Sequence, residues 1–244
     1  MKKINQSMIV LSSIFLILLS SCGNEKKNKS QSSDKQEEQI VVEVTQKVLF
    51  ENNYSKVSKI ILAPGEFLPT HEGENRVIYS LTDYSLDWEE KGEQLGAKTW
   101  KKGDVHFHEA GKHAAKNIGK APAEWLVFIK KTNDLPDCGE NIIANDVNSV
   151  SPDFAQALFE NDDFKVTQVN LPKGKNIPTH SGINRIIYSL SDYDLNYKSD
   201  TENEVDKQFK EGDIHWHEAC QHALENNGET EANFLVVNYK QKDE

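Results

Sequence analysis

The sequence is short of sulfur and of positive charge. Three cysteines, Cys22, Cys138 and Cys220, occur in 244 residues. That is far too few for a scaffold built on disulfides. Beyond Cys22 one pairing remains open, Cys138 with Cys220, and sequence alone does not bring the two together. Acidic side chains outnumber basic ones by 39 to 28, giving a net charge of −11. Such acidity argues against nucleic acid as a partner and against adhesion to anionic lipid through charge. The apolar run over residues 8–19 is broken by Ser12 and Ser13 and is too short for an ordinary spanning helix.

That run follows Lys2 and Lys3 and ends at Leu19-Ser20-Ser21-Cys22. A charged start, a short apolar stretch and small residues before a cut describe a secretory signal over residues 1–21. The Cys placed directly after the small residues resembles the bacterial lipobox. The resemblance implies diacylglycerol on Cys22, cleavage before it and acylation of the new amino end, so that the membrane partner is reached through lipid. Residues 22–40 are polar and charged almost throughout and read as a flexible tether. Gly23 stands where inner-membrane lipoproteins carry a sorting Asp. By resemblance this places the protein in the cell envelope, exported, with the outer membrane favoured. Removing residues 1–21 takes away Lys2 and Lys3 and moves the charge from −11 to −13.

The remainder is a tandem repeat at a fixed offset of 109 residues. Phe50-Glu51-Asn52 matches Phe159-Glu160-Asn161, and Pro69-Thr70-His71 matches Pro178-Thr179-His180. Without a gap the same offset aligns Arg76 with Arg185, Tyr79-Ser80-Leu81 with Tyr188-Ser189-Leu190, and Gly103-Asp104 with Gly212-Asp213. Residues 69–88 share 13 of 20 identities with their counterparts and residues 102–119 share 10 of 18, whereas residues 89–101 share 3 of 13. The two retained stretches hold all eight histidines, so they tolerate less change than the segment between them. A repeat this long is a whole domain. Residues 41–132 and 150–241 are the expected domains, joined by residues 133–149.

Strand signals dominate each copy. Residues 56–62, 76–81, 104–108 and 125–129 are β-branched, aromatic or alternating, and residues 164–171, 185–190, 213–217 and 234–239 repeat them. Short strands separated by Gly, Pro, Asn and Asp predict an all-β barrel or sandwich. Ser151-Pro152-Asp153 predicts the start of one short helix.

The quoted motifs resemble those of the cupin superfamily. Gly65, five residues, then His71 and the strand from Arg76 is similar to the first cupin motif, as is Gly174 with His180 and Arg185. Gly103-Asp104, Gly111, His113, Asn117 and Gly119 are similar to the second, as are Gly212-Asp213, His222, Asn226 and Gly228, with Cys220 in place of the turn glycine. The resemblance implies two tandem jelly-roll β-barrels, a bicupin. Cupin metal sites generally use three His and one Glu. Here Gly73 and Gly182 stand at the second histidine, and Arg76 and Arg185 at the glutamate.

A different set of imidazoles is available. His106 and His108, like His215 and His217, are two apart on a strand and share a face. If that face is interior, His71, His108 and His113 are candidate metal ligands in one copy and His180, His217 and His222 in the other, with His106 and His215 as further candidates. The ion would be Zn, Fe, Mn, Ni or Cu. If Val105 and Phe107 form the barrel core instead, His106 and His108 point outward. Arg76 and Arg185 suggest a metal-free pocket for a small anion, since a guanidinium fork matches carboxylate or phosphate. A partly exposed Arg76 paired with Asp83 or Glu74 is the plainer alternative. Three functions stay open: an envelope-anchored binding module, a metal-dependent oxygenase or isomerase, and a purely structural bicupin. A homo-oligomer also stays open, although two fused barrels satisfy the pairing that single barrels seek between chains.

Overall fold

The structure is a computed structural model, and it describes residues 45–241; Cys22, the signal and the tether lie outside the described residues. Eighteen strands and two short helical turns make up this part. The first nine strands are β1 (Thr45–Glu51), β2 (Ser55–Leu62), β3 (Phe67–Gly73), β4 (Arg76–Ser80), β5 (Tyr84–Glu90), β6 (Glu93–Trp100), β7 (Val105–His108), β8 (Gly111–Asn117) and β9 (Ala123–Lys130). They form a five-stranded sheet in the order β1-β2-β9-β4-β7 and a four-stranded sheet in the order β3-β8-β5-β6. All pairings are antiparallel, and the two sheets close on each other as a sandwich.

The second half repeats the plan. Its strands are β10 (Ala155–Glu160), β11 (Phe164–Leu171), β12 (Asn176–Gly182), β13 (Arg185–Ser189), β14 (Tyr193–Ser199), β15 (Val205–Phe209), β16 (Ile214–His217), β17 (Cys220–Glu225) and β18 (Ala232–Tyr239). The sheets are β10-β11-β18-β13-β16 and β12-β17-β14-β15.

The five-stranded sheets are buried on both faces. In β4, Arg76 and Ile78 line the first barrel's interior, while Val77 and Tyr79 belong to a separate cluster that also holds Ile186, Tyr188, Leu235 and Tyr239 of the second half. The two large sheets therefore pack back to back, and a third apolar layer joins the barrels. Each fully buried aromatic or aliphatic side chain in that layer contributes roughly 1.5–3 kcal/mol. Two-sided burial explains why residues 76–81 and 185–190 read as near-continuous apolar runs. Polar pairs fix the docking. Ser55 Oγ lies 2.6 Å from Tyr239 Oη, and Lys130 Nζ, only 5 % exposed, bonds Asp163 Oδ1 at 3.0 Å.

Several shared residues have structural work. Asn117 Nδ2 donates to Leu62 O and Ala121 O while its Oδ1 accepts from Gly119 N. Asn226 does the same with Leu171, Thr230 and Gly228. Asp104 and Asp213 accept from the main-chain N of Lys101 and Lys210 and close turns at Gly103 and Gly212, whose φ values are +92° and +88°. The short helix departs from expectation. It spans Val147–Val150, ahead of Pro152, because Asp146 caps it by accepting from Asn148 N and Ser149 N. Cys138 and Cys220 are both free thiols.

Candidate functional site: a guanidinium among neutral imidazoles

Each barrel has a cavity against its five-stranded sheet. In the first it measures about 220 Å³ and is lined by Arg76 and by all four histidines of that half, His71, His106, His108 and His113. In the second it measures about 50 Å³ and is lined by Arg185 with His180, His215, His217 and His222. His106 and His108 thus face inward, and the outward alternative is corrected. Val105 and Phe107 are core residues too, but of the layer between barrels.

Local structure places each group. A register shift in β3 between Leu68 and His71 brings His71 directly opposite His113 on β8, with ring centroids 4.0 Å apart. Arg76 starts β4 and pairs with His108 on β7. Trp88, on β5, packs against two imidazoles, 4.9 Å from His108 and 5.2 Å from His113 by ring centroid. Trp100 stacks on His106 at 5.0 Å. The second barrel repeats the layout with Tyr197 beside His217 and His222, and Phe209 on His215.

Arg76 is 5 % exposed and Arg185 2 % exposed. Neither forms an ion pair with a carboxylate among the described residues, although Glu90 attracts Arg76 through space. Arg76 Nη1 donates to the main-chain oxygens of Glu74 (2.9 Å) and Glu109 (3.4 Å), and Nη2 donates to His113 Nε2 at 3.1 Å. Arg185 Nη1 donates to Ile183 O and Glu218 O. Its Nη2 approaches Cys220 Sγ at 3.4 Å and His222 Nδ1 at 3.5 Å. The expected pairing of Arg76 with Asp83 is corrected, because Asp83 binds Lys101 Nζ and Lys102 N. Glu74 meets Arg76 only through its carbonyl. No acceptor among the described residues bonds Arg76 Nε, and Arg76 lines the cavity.

Gly73 and Gly182 make this possible. A Cβ at Gly73 would lie 2.4 Å from Arg76 Nη1 and 2.6 Å from His113 Cε1; at Gly182 the corresponding approaches are 2.3 Å to Arg185 Nη1 and 2.8 Å to His222 Cε1. No real Cβ tolerates contacts that close, so the glycine two residues past the first histidine admits the guanidinium.

The surroundings keep the imidazoles neutral. Burial pushes His106 down to about 3, His108 to about 4 and His113 to about 4, with Arg76 adding to the effect in each. Burial likewise pushes His215 down to about 4 and His222 well below its ordinary value. His108 therefore makes no ion pair with Glu90, although Nδ1 comes within 4.0 Å of Oε1. The unfolded chain binds protons on these groups near pH 6.5 and the folded chain does not. Stability is fully present above that pH and falls as the pH drops from about 6.5 toward 4, each buried histidine adding up to about 1.4 kcal/mol per pH unit to the slope. Denaturant midpoints measured from pH 7.5 to 4.5 will show a progressive loss, less steep when His106→Gln and His215→Gln are combined.

The donor set does not fit a metal. Among the described residues no group of three or more His, Cys, Asp or Glu is placed to hold one. His71, His108 and His113, and likewise His180, His217 and His222, line one cavity but do not converge. Trp88 packs against both His108 and His113. His113 Nδ1 lies 3.3 Å from Gly111 O and Nε2 takes the hydrogen bond from Arg76, so the lone pair a metal needs is already engaged. The three-histidine centre expected from the sequence is not assembled among the described residues as they stand. His106 Nδ1 is buried and has no partner among the described residues.

The strongest sequence signal at the site is a count. Of 28 basic residues, 26 are lysine, and the only two arginines are Arg76 and Arg185, at equivalent positions. Sequence reading also missed Trp88 and the linker residue Asp146, which lines the second cavity.

No family model matches the sequence, and no curated protein matches it. Solved structures do. AerE from Microcystis aeruginosa superposes with a TM-score of 0.61 at 18% identity, over 82% of this chain and 94% of that one. A cupin 2 conserved barrel domain protein from Leptotrichia buccalis gives 0.51 at 18% identity, over 82% and 90%. A single-residue variant of the Bacillus subtilis oxalate decarboxylase gives 0.57 at 11% identity, over 79% and 71%. The B. subtilis oxalate decarboxylase has Mn(II) centres. These likenesses establish the fold: the described residues form two cupin barrels in tandem.

Proposed function

We propose that this tandem cupin-fold protein is a binding module that captures a small carboxylate, or an anion of like geometry, in its barrel on a buried guanidinium. One observation carries the reading: a nearly inaccessible Arg76 that lines an aromatic-walled cavity, with no ion pair to a carboxylate and no acceptor on Nε among the described residues. A buried charge left unpaired is costly, and a fork edge matches a carboxylate bidentately. Ile60, Ile78, Leu86, Trp100 and Trp125 surround it and suit an apolar body behind the charged group. The metal-dependent oxygenase or isomerase reading has no support in the ligand geometry. The test is calorimetric titration with butyrate and benzoate, comparing the unmodified chain with Arg76→Met/Arg185→Met. Binding that survives in the double variant would overturn the proposal.

The envelope location and lipid anchor belong to the same proposal, supported by the Leu19-Ser20-Ser21-Cys22 sequence. Cys22→Ser is expected to move the protein from the membrane pellet to the soluble fraction. Retention in the pellet would overturn the anchor.

A further inference from the structure

The first cavity holds a second cation. Lys56 on β2 and Arg76 on β4 both stand in register with Ile129 on β9, the strand between them. Residues in direct register share a face, and all three line the same cavity. Two strand spacings set the two Cα atoms about 10 Å apart. Among the described residues the Lys56 side chain makes no hydrogen bond and no ion pair within 4 Å; Glu51, its cross-strand neighbour, bonds Lys131 and attracts Lys56 only through space.

The second barrel repeats the register as Lys165, Asn238 and Arg185. There the lysine is answered from within the chain. Asp146, on the segment entering the second half, lines the cavity, and its Oδ2 lies 2.6 Å from Lys165 Nζ. Asp146 is 4 % exposed and Lys165 8 % exposed. The same segment packs against β12, which carries His180; His180 is buried, whereas His71 is exposed. A carboxylate already sits at the lysine end of the second barrel, and the cavity left is about 50 Å³ against about 220 Å³ in the first.

We infer that the first barrel is the ligand barrel and that its ligand is a small dianion, a dicarboxylate with a spacer between its two groups. One group takes the Arg76 fork, and the other takes Lys56, at the place Asp146 fills beside Lys165. This rests on the reading of Arg76 as an anion anchor. It goes beyond it in ligand class and in assigning the two barrels different roles. The offset of 109 sets Glu37 against Asp146 in the sequence; Glu37 is outside the described residues, and the experiment includes it.

The chain from residue 23 onward is titrated calorimetrically with butyrate, succinate, glutarate and adipate. At least one dicarboxylate is expected to bind tenfold or more tightly than butyrate, with one site per chain. Lys56→Met is expected to erase that advantage, so that mono- and dicarboxylates bind with similar affinity. Equal affinity for mono- and dicarboxylates, two equal sites per chain, or an advantage that survives Lys56→Met would overturn the inference and leave the Arg76 anchor standing. A dicarboxylate advantage seen only in Glu37→Gln would also overturn it, assigning the Lys56 end to the chain's own carboxylate. Failure of every carboxylate to bind the unmodified chain would sink both readings.

Discussion

Arg76→Met will lower carboxylate affinity by about a hundredfold, while Arg76→Lys will retain part of it. Removing one partner of a buried, hydrogen-bonded charge pair costs about 3 kcal/mol, which is roughly two decades in Kd. Lysine keeps the charge but loses the planar fork, so it binds as a point charge without the bidentate geometry. The methionine variant keeps most of the apolar stem against Ile78 and Ile129, so the cavity wall stays in place. Competition binding with benzoate reads the effect directly. The hydrogen bonds that Nη1 makes to Glu74 O and Glu109 O are lost in both variants. A shift of a few degrees in the melting temperature is therefore expected alongside the far larger change in affinity.

The second large effect falls on a residue with no side chain. Gly73→Ala is expected to destabilise the protein by about 3 kcal/mol, from overpacking together with the loss of buried hydrogen bonds to a charge. For a domain of this size that corresponds to about 10 °C in melting temperature. The new Cβ would sit 2.4 Å from Nη1 and 2.9 Å from Cζ of Arg76. The guanidinium cannot step aside without leaving the two carbonyls and the His113 imidazole that hold it. The cause is identified by a double-mutant cycle. In an Arg76→Ala background only the 2.6 Å approach to His113 Cε1 remains, and Gly73→Ala should cost clearly less than in the unmodified chain. Equal costs in the two backgrounds would show that the glycine does not serve to admit the guanidinium. Its φ is not positive, so no left-handed conformation competes as an explanation.

The fold was legible because of the repeat. β-branched residues in strands 76–80 and 185–189 and the turn residues Gly103-Asp104 and Gly212-Asp213 point to short antiparallel strands, and the gapless offset shows two of each. Strands β3, β6 and β15 are harder to read. Pro69 sits inside β3 at its register shift, and β6 and β15 are largely exposed hairpin strands, so no buried face imposes a pattern on them. The inward direction of His106 and His108 was not decidable from alternation. Both faces of β7 are covered, one by the cavity and one by the other barrel, so Val105 and Phe107 look like interior residues of their own barrel without being so.

The arrangement of the site was less accessible than its membership. Every histidine named from the sequence lines a cavity. What spacing cannot show is that Trp88 packs against both His108 and His113, or that Gly73 and Arg76 are two parts of one arrangement, since their contact depends on where a long side chain folds back. The different roles inferred for the barrels depend on Asp146, a residue of the linker, whose reach into the second cavity follows from the helical turn it caps. The restriction of arginine to two equivalent positions was visible throughout, and it is the sequence feature that bears most directly on function.

The central claim is that a guanidinium, and not a bound metal ion, anchors the ligand. One measurement tests it most directly: benzoate binding to the purified chain before and after exhaustive chelation, set beside Arg76→Met/Arg185→Met. The account predicts an unchanged Kd after chelation and a loss of about a hundredfold or more in the double variant. Binding abolished by chelation, restored by a divalent metal and retained in the arginine variant would contradict it.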